Sequence, residues 1–338
     1  VSGADESIIF SEVDFSADGK HQGFLRLPHS VHRSAYGWIP IPVVSVKNGR
    51  GPRVLLMAGN HGDEYEGQVA LSKLVRRLRP EDVSGQIIVL PMANFPAAQA
   101  GLRTSPLDEG NLNRSFPGDP EGTPTQIIAH YIESVLLKGT DYLFDLHSGG
   151  SSLHYLPSML MGMAPDEPDR DRKLALLEAF GLPYSLLFTQ DRENRFSSSA
   201  ASRQGAIAIA TELGGSGTVT PDILAMVESA LARVLAYVGV LAGEATEQPP
   251  APTRIMEVGG EDYYCYASDD GLFEPYVELG DRVSAGQPAG ALHTPETPWR
   301  APVEVCFARG GVVLCKRVPG RSQRGDCLFH LASDYHDA

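Results

Sequence analysis

Two histidines and two glutamates stand in this chain where a metal-assisted hydrolysis would need them. His61 and Glu64 belong to the stretch Gly59-Asn60-His61-Gly62-Asp63-Glu64, His147 to Asp145-Leu146-His147-Ser148-Gly149, and Glu212 to Thr211-Glu212-Leu213-Gly214-Gly215. Two imidazoles and a carboxylate form a ligand set used by catalytic zinc, with a fourth position left open for water. Zinc held in this way lowers the pKa of its water toward neutrality and polarises a carbonyl oxygen. Spacing alone leaves open whether Asp63, Glu64 or Glu66 would complete the set. Taken singly, each residue has an ordinary explanation. A histidine at a strand end is commonly a hydrogen-bonded structural residue, an acid in the first turn of a helix complements the macrodipole, and Glu212 would cap the loop that follows it. Asp145, two residues before His147, is expected to point to the opposite face of its strand, away from the crevice.

The elements that carry these residues place them together. The apolar run Val54-Leu55-Leu56-Met57-Ala58 predicts a buried strand ending on Gly59, and the run from Gly67 to Arg79 predicts a helix with Leu71, Leu74, Val75 and Leu78 on one face. A second strand at Ile87-Ile88-Val89-Leu90 completes a strand–helix–strand unit, which crosses over right-handed into a parallel sheet. Tyr142-Leu143-Phe144-Asp145-Leu146 predicts a buried strand ending on His147, and Ala206-Ile207-Ala208-Ile209-Ala210 one ending on Thr211-Glu212. The C-terminal edges of parallel strands all face one way, so the three ends can converge on one crevice. Ile39 to Val46, interrupted by Pro40 and Pro42, reads as an edge or sheet-entering strand.

Other segments fill in the frame. A helix is expected from Thr123 or Thr125 to about Leu137, another near 170–180, a strand near 184–188 and a long helix from 221 to about 242. Between Asn94 and Gly122 lies a long stretch rich in Gly, Pro, Asn and Asp, of the kind that is functional when it occurs inside a compact domain; it carries Arg103 and Asn113-Arg114. Residues 1–245 are expected to form the main domain, with a linker at about 246–252 around Gln248-Pro249-Pro250-Ala251-Pro252. Short β-like runs then predict a small barrel-like β domain over 253–335, structural or substrate-gating. Its Gly280-Asp281-Arg282-Val283-Ser284-Ala285-Gly286-Gln287 turn is similar to that of biotinyl and lipoyl barrels, without the lysine that would carry such a cofactor.

The 338 residues are enough for one large and one smaller domain, and 42% hydrophobic with 21% charged residues is ordinary for a globular protein. A net charge of -14 argues against nucleic acid or an anionic membrane as partner, since these select basic patches. No apolar run is long enough for a transmembrane helix, and the acidic stretch Val1–Phe15 is not expected to be a secretory signal. Cys265, Cys306, Cys315 and Cys327 show no C-x-x-C spacing, so they are expected to be free thiols in a reducing cytoplasm. Self-association is expected only at the general rate for acidic enzymes of this size.

With G-N-H-G-D-E at 59–64, L-N-R-S-F-P-G at 112–118, D-L-H-S-G at 145–149 and T-E-L-G-G at 211–215, in this order, the chain resembles the succinylglutamate desuccinylase/aspartoacylase family, relatives of the zinc carboxypeptidases. The resemblance implies an α/β fold, a carboxypeptidase-like mixed sheet flanked by helices, followed by the small C-terminal β domain. It implies one Zn2+ per chain on His61, Glu64 and His147, which selects Glu64 among the three acids. It implies Glu212 as general base, Arg103 as the cation steadying the developing oxyanion, and Asn113 with Arg114 as the grip on a substrate carboxylate. Together with the run His32-Arg33-Ser34-Ala35-Tyr36-Gly37-Trp38-Ile39-Pro40-Ile41-Pro42, it implies a deacylase of a small N-acyl amino acid, first of all N2-acetyl-L-2,4-diaminobutanoate from ectoine degradation. The rivals are a deacylase of N-acetylaspartate, N-succinylglutamate or another N-acyl amino acid, a carboxypeptidase-like peptidase, and a non-catalytic binding or carrier protein. Arg195, Arg203, Tyr263, Tyr264 and Tyr266 are further substrate-side candidates.

Overall fold

The computed structural model describes residues 7–164, 166–188, 194–242 and 251–335. Among them a mixed sheet of fifteen strands runs through the molecule. Its centre is built from Gly85–Leu90, Arg53–Ala58, Tyr142–Leu146 and Ile207–Glu212, mutually parallel and adjacent in that order. The three strands that lead into the candidate chemistry are therefore next-door neighbours, and their C-terminal ends open on one crevice.

The alternation of side chains along these strands explains the layers. Val54, Leu56 and Ala58 face one core, shared with Leu71 of the helix Tyr65–Arg77 and with Val227, Leu231 and Val234 of the helix Pro221–Tyr237. Leu55 and Met57 face the other, with Ile128 and Tyr131 of the helix Pro124–Tyr131 and Ala200 of the helix Ser197–Arg203. Both faces being covered, the strands read as continuous apolar runs. Each fully buried aliphatic side chain contributes about 1.5–3 kcal/mol, which makes the strand ends stiff mounts for polar side chains.

Several expectations shift. The strand Trp38–Asn48 pairs with both Gly19–Pro28 and Gly85–Leu90, so it lies inside the sheet and is not an edge. Its pairing with Gly85–Leu90 begins only at Val44, so Pro40 and Pro42 sit where that neighbour is absent and no ladder donor is missed. The long helix ends at Tyr237, short of 242. The helix after Thr123 is regular to Tyr131 and continues to Leu136 in a wider turn. The stretch 94–122 holds two short helical pieces, Phe95–Ala100 and Leu112–Arg114. The helix Arg170–Phe180 and the strand Tyr184–Phe188 lie where expected.

Residues 246–250 of the expected linker lie outside the described ones. Beyond them, Arg254–Glu257 pairs with Tyr184–Phe188 and carries Cys327–Asp334 and Gly311–Arg317 into the large sheet, while Gly271–Pro275, Pro288–His293, Val303–Cys306 and Arg321–Ser322 form a separate four-stranded antiparallel sheet. The strand Leu153–Tyr155, which the sequence reading missed, pairs with Gly311–Arg317 and joins the C-terminal strands to the loop after His147.

Candidate metal centre and cleft

The turn after Arg53–Ala58 is shaped by close backbone approach. A Cβ at Gly62 would stand 2.0 Å from the carbonyl of Ala97, so only glycine lets the turn lie against the helix Phe95–Ala100. This packing directs His61 and Glu64 inward, both buried. His147, buried at the end of the neighbouring strand, meets them. Glu64 lies between the two imidazoles, with His61 Nδ1 at 2.6 Å from its Oε1 and His147 Nδ1 at 2.8 Å from its Oε2. One ligand atom from each of the three residues falls within 4.8 Å of the others, the one such group among the described residues.

The other two acids of the motif are committed elsewhere. Asp63 Oδ2 accepts the backbone N–H and the hydroxyl of Ser151, both at 2.8 Å. Glu66 Oε1 accepts the Gly215 N–H at 3.3 Å, and burial pushes its carboxyl up to about 7. Only Glu64 touches both histidines.

The far side of each ring is held as well. His147 Nε2 lies 2.9 Å from Asp145 Oδ2 and His61 Nε2 lies 3.1 Å from Asn111 Oδ1. Each imidazole thus stands between two acceptors, Nδ1 toward Glu64 and Nε2 toward Asn111 or Asp145; with a cation held beside Glu64, Nε2 would keep the proton and Nδ1 would present its lone pair to the metal. The contact of Asp145 with His147 corrects the expectation that it points to the opposite face. Side chains alternate along a strand with a period of two, so positions 145 and 147 share a side. Asp145 Oδ2 also accepts Asn60 Nδ2 at 3.0 Å and the Ser197 hydroxyl at 2.5 Å.

Charge follows from this packing. Burial alone would raise the Glu64 carboxyl, but the two imidazoles beside it hold it well below the usual carboxylate range. Burial depresses His61, whereas for His147 the charges of Asp145 and Glu64 overcome burial and raise it well above its ordinary value. Glu212 is pushed well above the usual carboxylate range, first by burial and then by the charge of Glu64; its Oε2 is buried with no hydrogen-bond partner among the described residues. Two inward-facing imidazole nitrogens around a buried anionic carboxylate are a donor set that fits a divalent cation, and a fourth, unpartnered carboxylate oxygen nearby is the kind of group that handles a proton.

The remaining candidates fall into two groups. Arg103 Nη1 stands 3.5 Å from Glu64 Oε1, half-exposed at the rim of the centre. Asn113 Nδ2 is 3.5 Å from His147 Nε2, and the guanidinium of Arg114 lies 4.5 Å over the Phe196 ring. By contrast Arg203 makes a bidentate pair with Glu133 at 2.8 Å, and Tyr263 is buried beneath the guanidinium of Arg309 at 3.6 Å, so both serve the fold. Tyr264 stacks on the buried His330 at 4.2 Å, and Tyr266 stacks on Tyr264. Arg195, an exposed side chain, accepts the Phe116 N–H through its backbone carbonyl. Sequence reasoning missed Asn60, Asn111 and Ser197. Asn60 sits inside the 59–64 motif and Asn111 directly before the 112–118 motif, and nothing in the Ser197-Ser198-Ser199 run marks the third.

Residues 50–238 match the model of the succinylglutamate desuccinylase/aspartoacylase catalytic domain. The chain is 45% identical over 327 residues to the N-alpha-acetyl-L-2,4-diaminobutyric acid deacetylase of Halomonas elongata, covering 96% of this chain and 95% of that one. Among solved structures, the product-bound ectoine utilization protein EutE of Ruegeria pomeroyi superposes with a TM-score of 0.92 at 37% identity, and a succinylglutamate desuccinylase/aspartoacylase from Rhodobacter sphaeroides with 0.91 at 41%; each alignment covers 97% of this chain and 100% of the other.

Proposed function

Because the chain belongs to the succinylglutamate desuccinylase/aspartoacylase family, whose members hydrolyse N-acyl amino acids, we propose that it is a zinc-dependent deacetylase of N2-acetyl-L-2,4-diaminobutanoate, yielding acetate and L-2,4-diaminobutanoate. The observation that carries the chemistry is the buried trio His61, Glu64 and His147 with the Glu212 carboxylate close enough to feel their charges, its Oε2 buried without a hydrogen-bond partner among the described residues. The choice of substrate is supported by the likeness to the Halomonas elongata deacetylase along nearly the whole chain.

In this reading His61, Glu64 and His147 would hold one Zn2+, which would supply Lewis acidity toward the acetyl carbonyl and make water more acidic. Glu212 takes a proton from the attacking water and hands it to the leaving nitrogen, as a general base that turns general acid. The Arg103 guanidinium steadies the carbonyl oxygen as negative charge builds on it. Asn113 and Arg114 bind the α-carboxylate, the planar fork of Arg114 being kept in place by its stacking on Phe196. One amide C–N bond breaks, one C–O bond forms, and the water's two hydrogens end on the products.

We further propose that the chain divides into a catalytic unit over 1–245 and a C-terminal β unit over 253–335. The four free cysteines support a cytoplasmic setting, and among the described residues no helix is long and apolar enough to cross a membrane. The proposed partner is the small N-acylated substrate, with no nucleic acid or membrane surface, in keeping with the net charge of -14. The test is hydrolysis of a panel of N-acyl amino acids by mass spectrometry, with and without chelator. The proposal expects N2-acetyl-L-2,4-diaminobutanoate to be preferred and zinc to restore the chelated enzyme. Preference for N-acetylaspartate, N-succinylglutamate or a peptide refutes the substrate, and full activity in chelator refutes the metal.

A further inference from the structure

Ser197 is buried at the first turn of the helix Ser197–Arg203, and its two donors reach two different parts of the centre. Its backbone N–H donates to Asn113 Oδ1 at 2.9 Å. Its hydroxyl donates to Asp145 Oδ2 at 2.5 Å, the same oxygen that faces His147 Nε2 at 2.9 Å.

Each bond fixes something the partner cannot fix alone. A backbone N–H can only donate, so the Asn113 amide must turn its oxygen to Ser197 and its NH2 the other way. That NH2 lies 3.5 Å from His147 Nε2, beside the metal ligands. The amide therefore offers the cleft donors and no acceptor, which suits a carboxylate and repels nothing anionic. On the other side, Asp145 Oδ2 is pinned by donors from Asn60, Ser197 and His147, which holds the carboxylate in the orientation that keeps His147 Nδ1 facing Glu64.

We propose that Ser197 is a positioning residue for both halves of the site, its hydroxyl orienting the carboxylate behind a metal ligand and its N–H setting the polarity of the Asn113 amide. This rests on the reading of His61, Glu64 and His147 as metal ligands and of Asn113 as part of the carboxylate grip. The two arms separate by mutation. Ser197→Ala removes the hydroxyl and leaves the N–H, Ser197→Thr keeps both, and Ser197→Pro removes both at a first helical position where proline is tolerated.

The experiment measures zinc affinity of the full-length chain by competition with a chromophoric chelator, alongside KM and kcat. Loss of a hydrogen bond of this kind weakens metal binding roughly 10-fold. Ser197→Ala is expected to bind zinc about 10-fold more weakly with KM within about twofold of wild type, and Ser197→Thr to recover to within about threefold. Ser197→Pro is expected to add a rise in KM of about fivefold or more to the metal defect, as an anion-binding donor loses its orientation. Wild-type zinc affinity in Ser197→Ala overturns the inference, as does Ser197→Thr binding as weakly as Ser197→Ala. Failure of the underlying reading looks different: the wild-type chain itself would take up well below one zinc, and the inference would fall with it.

Discussion

Glu212→Gln separates the chemical role of this carboxyl from any structural one, because the two act in opposite directions. The substitution keeps the shape, removes the ability to take a proton, and removes a buried charge. General acid–base catalysis is worth about 10²–10⁴ in rate, or about 2.7–5.4 kcal/mol at about 1.36 kcal/mol per decade. That loss is expected in kcat, at zinc content equal to wild type. For stability the sign reverses. Glu212 Oε2 is buried without a partner among the described residues, and burial with the Glu64 charge raises its carboxyl. A carboxyl raised in the fold binds its proton more tightly there than in the unfolded chain. The metal-free protein should thus lose stability as pH rises from the ordinary value of 4.5 toward the raised folded one. Glu212→Gln abolishes that slope, and its thermal midpoint without metal should match or exceed wild type above this window. Steady-state kinetics, metal analysis and calorimetry across pH read these quantities. A variant with full zinc whose kcat stays within about threefold of wild type refutes Glu212 as the base. One that is also less stable than wild type at neutral pH refutes the account of its burial.

Three further perturbations test the frame. Arg114→Lys trades the planar fork over Phe196 for a point charge, so KM for a carboxylate-bearing substrate should rise about 10-fold or more while kcat changes less; equal effects on both would remove Arg114 from ground-state binding. Asp108 accepts the Thr125 N–H and hydroxyl at 2.8 Å each; burial alone would raise its carboxyl, but these bonds lower it overall. Its contribution is therefore present above about 3.8 and lost as pH falls through the lower folded value, and Asp108→Asn should cost about 1–3 kcal/mol by denaturant unfolding at neutral pH, with an unchanged midpoint refuting the anchor. Gly62→Ala would drive a methyl against the Ala97 carbonyl at 2.0 Å, so soluble yield or stability should fall by more than about 3 kcal/mol; a near-wild-type midpoint would show that the turn yields.

What the sequence by itself determined is local. The strand runs leading to His61, His147 and Glu212 were legible because a strand buried on both faces must be continuously apolar and must stop where polar residues begin. The four ordered motifs also carried the family and the ligand types. The tertiary structure decided which groups touch. By spacing alone Asp63, Glu64 and Glu66 are interchangeable; the resemblance implied Glu64, and the packing of Gly62 on Ala97 with the turn at Ser151 gives the geometry in which Glu64 meets both imidazoles. Asn111 reaches His61 across 50 residues and Ser197 reaches Asp145 across 52, distances over which no periodicity carries information. That Arg254–Glu257 pairs with Tyr184–Phe188 and brings Cys327–Asp334 and Gly311–Arg317 into the large sheet was likewise decided by pairing between distant segments, which satisfies the backbone donors of an edge. Side-chain chemistry was thus written locally, and its geometry arose only where distant strands and loops closed on one another.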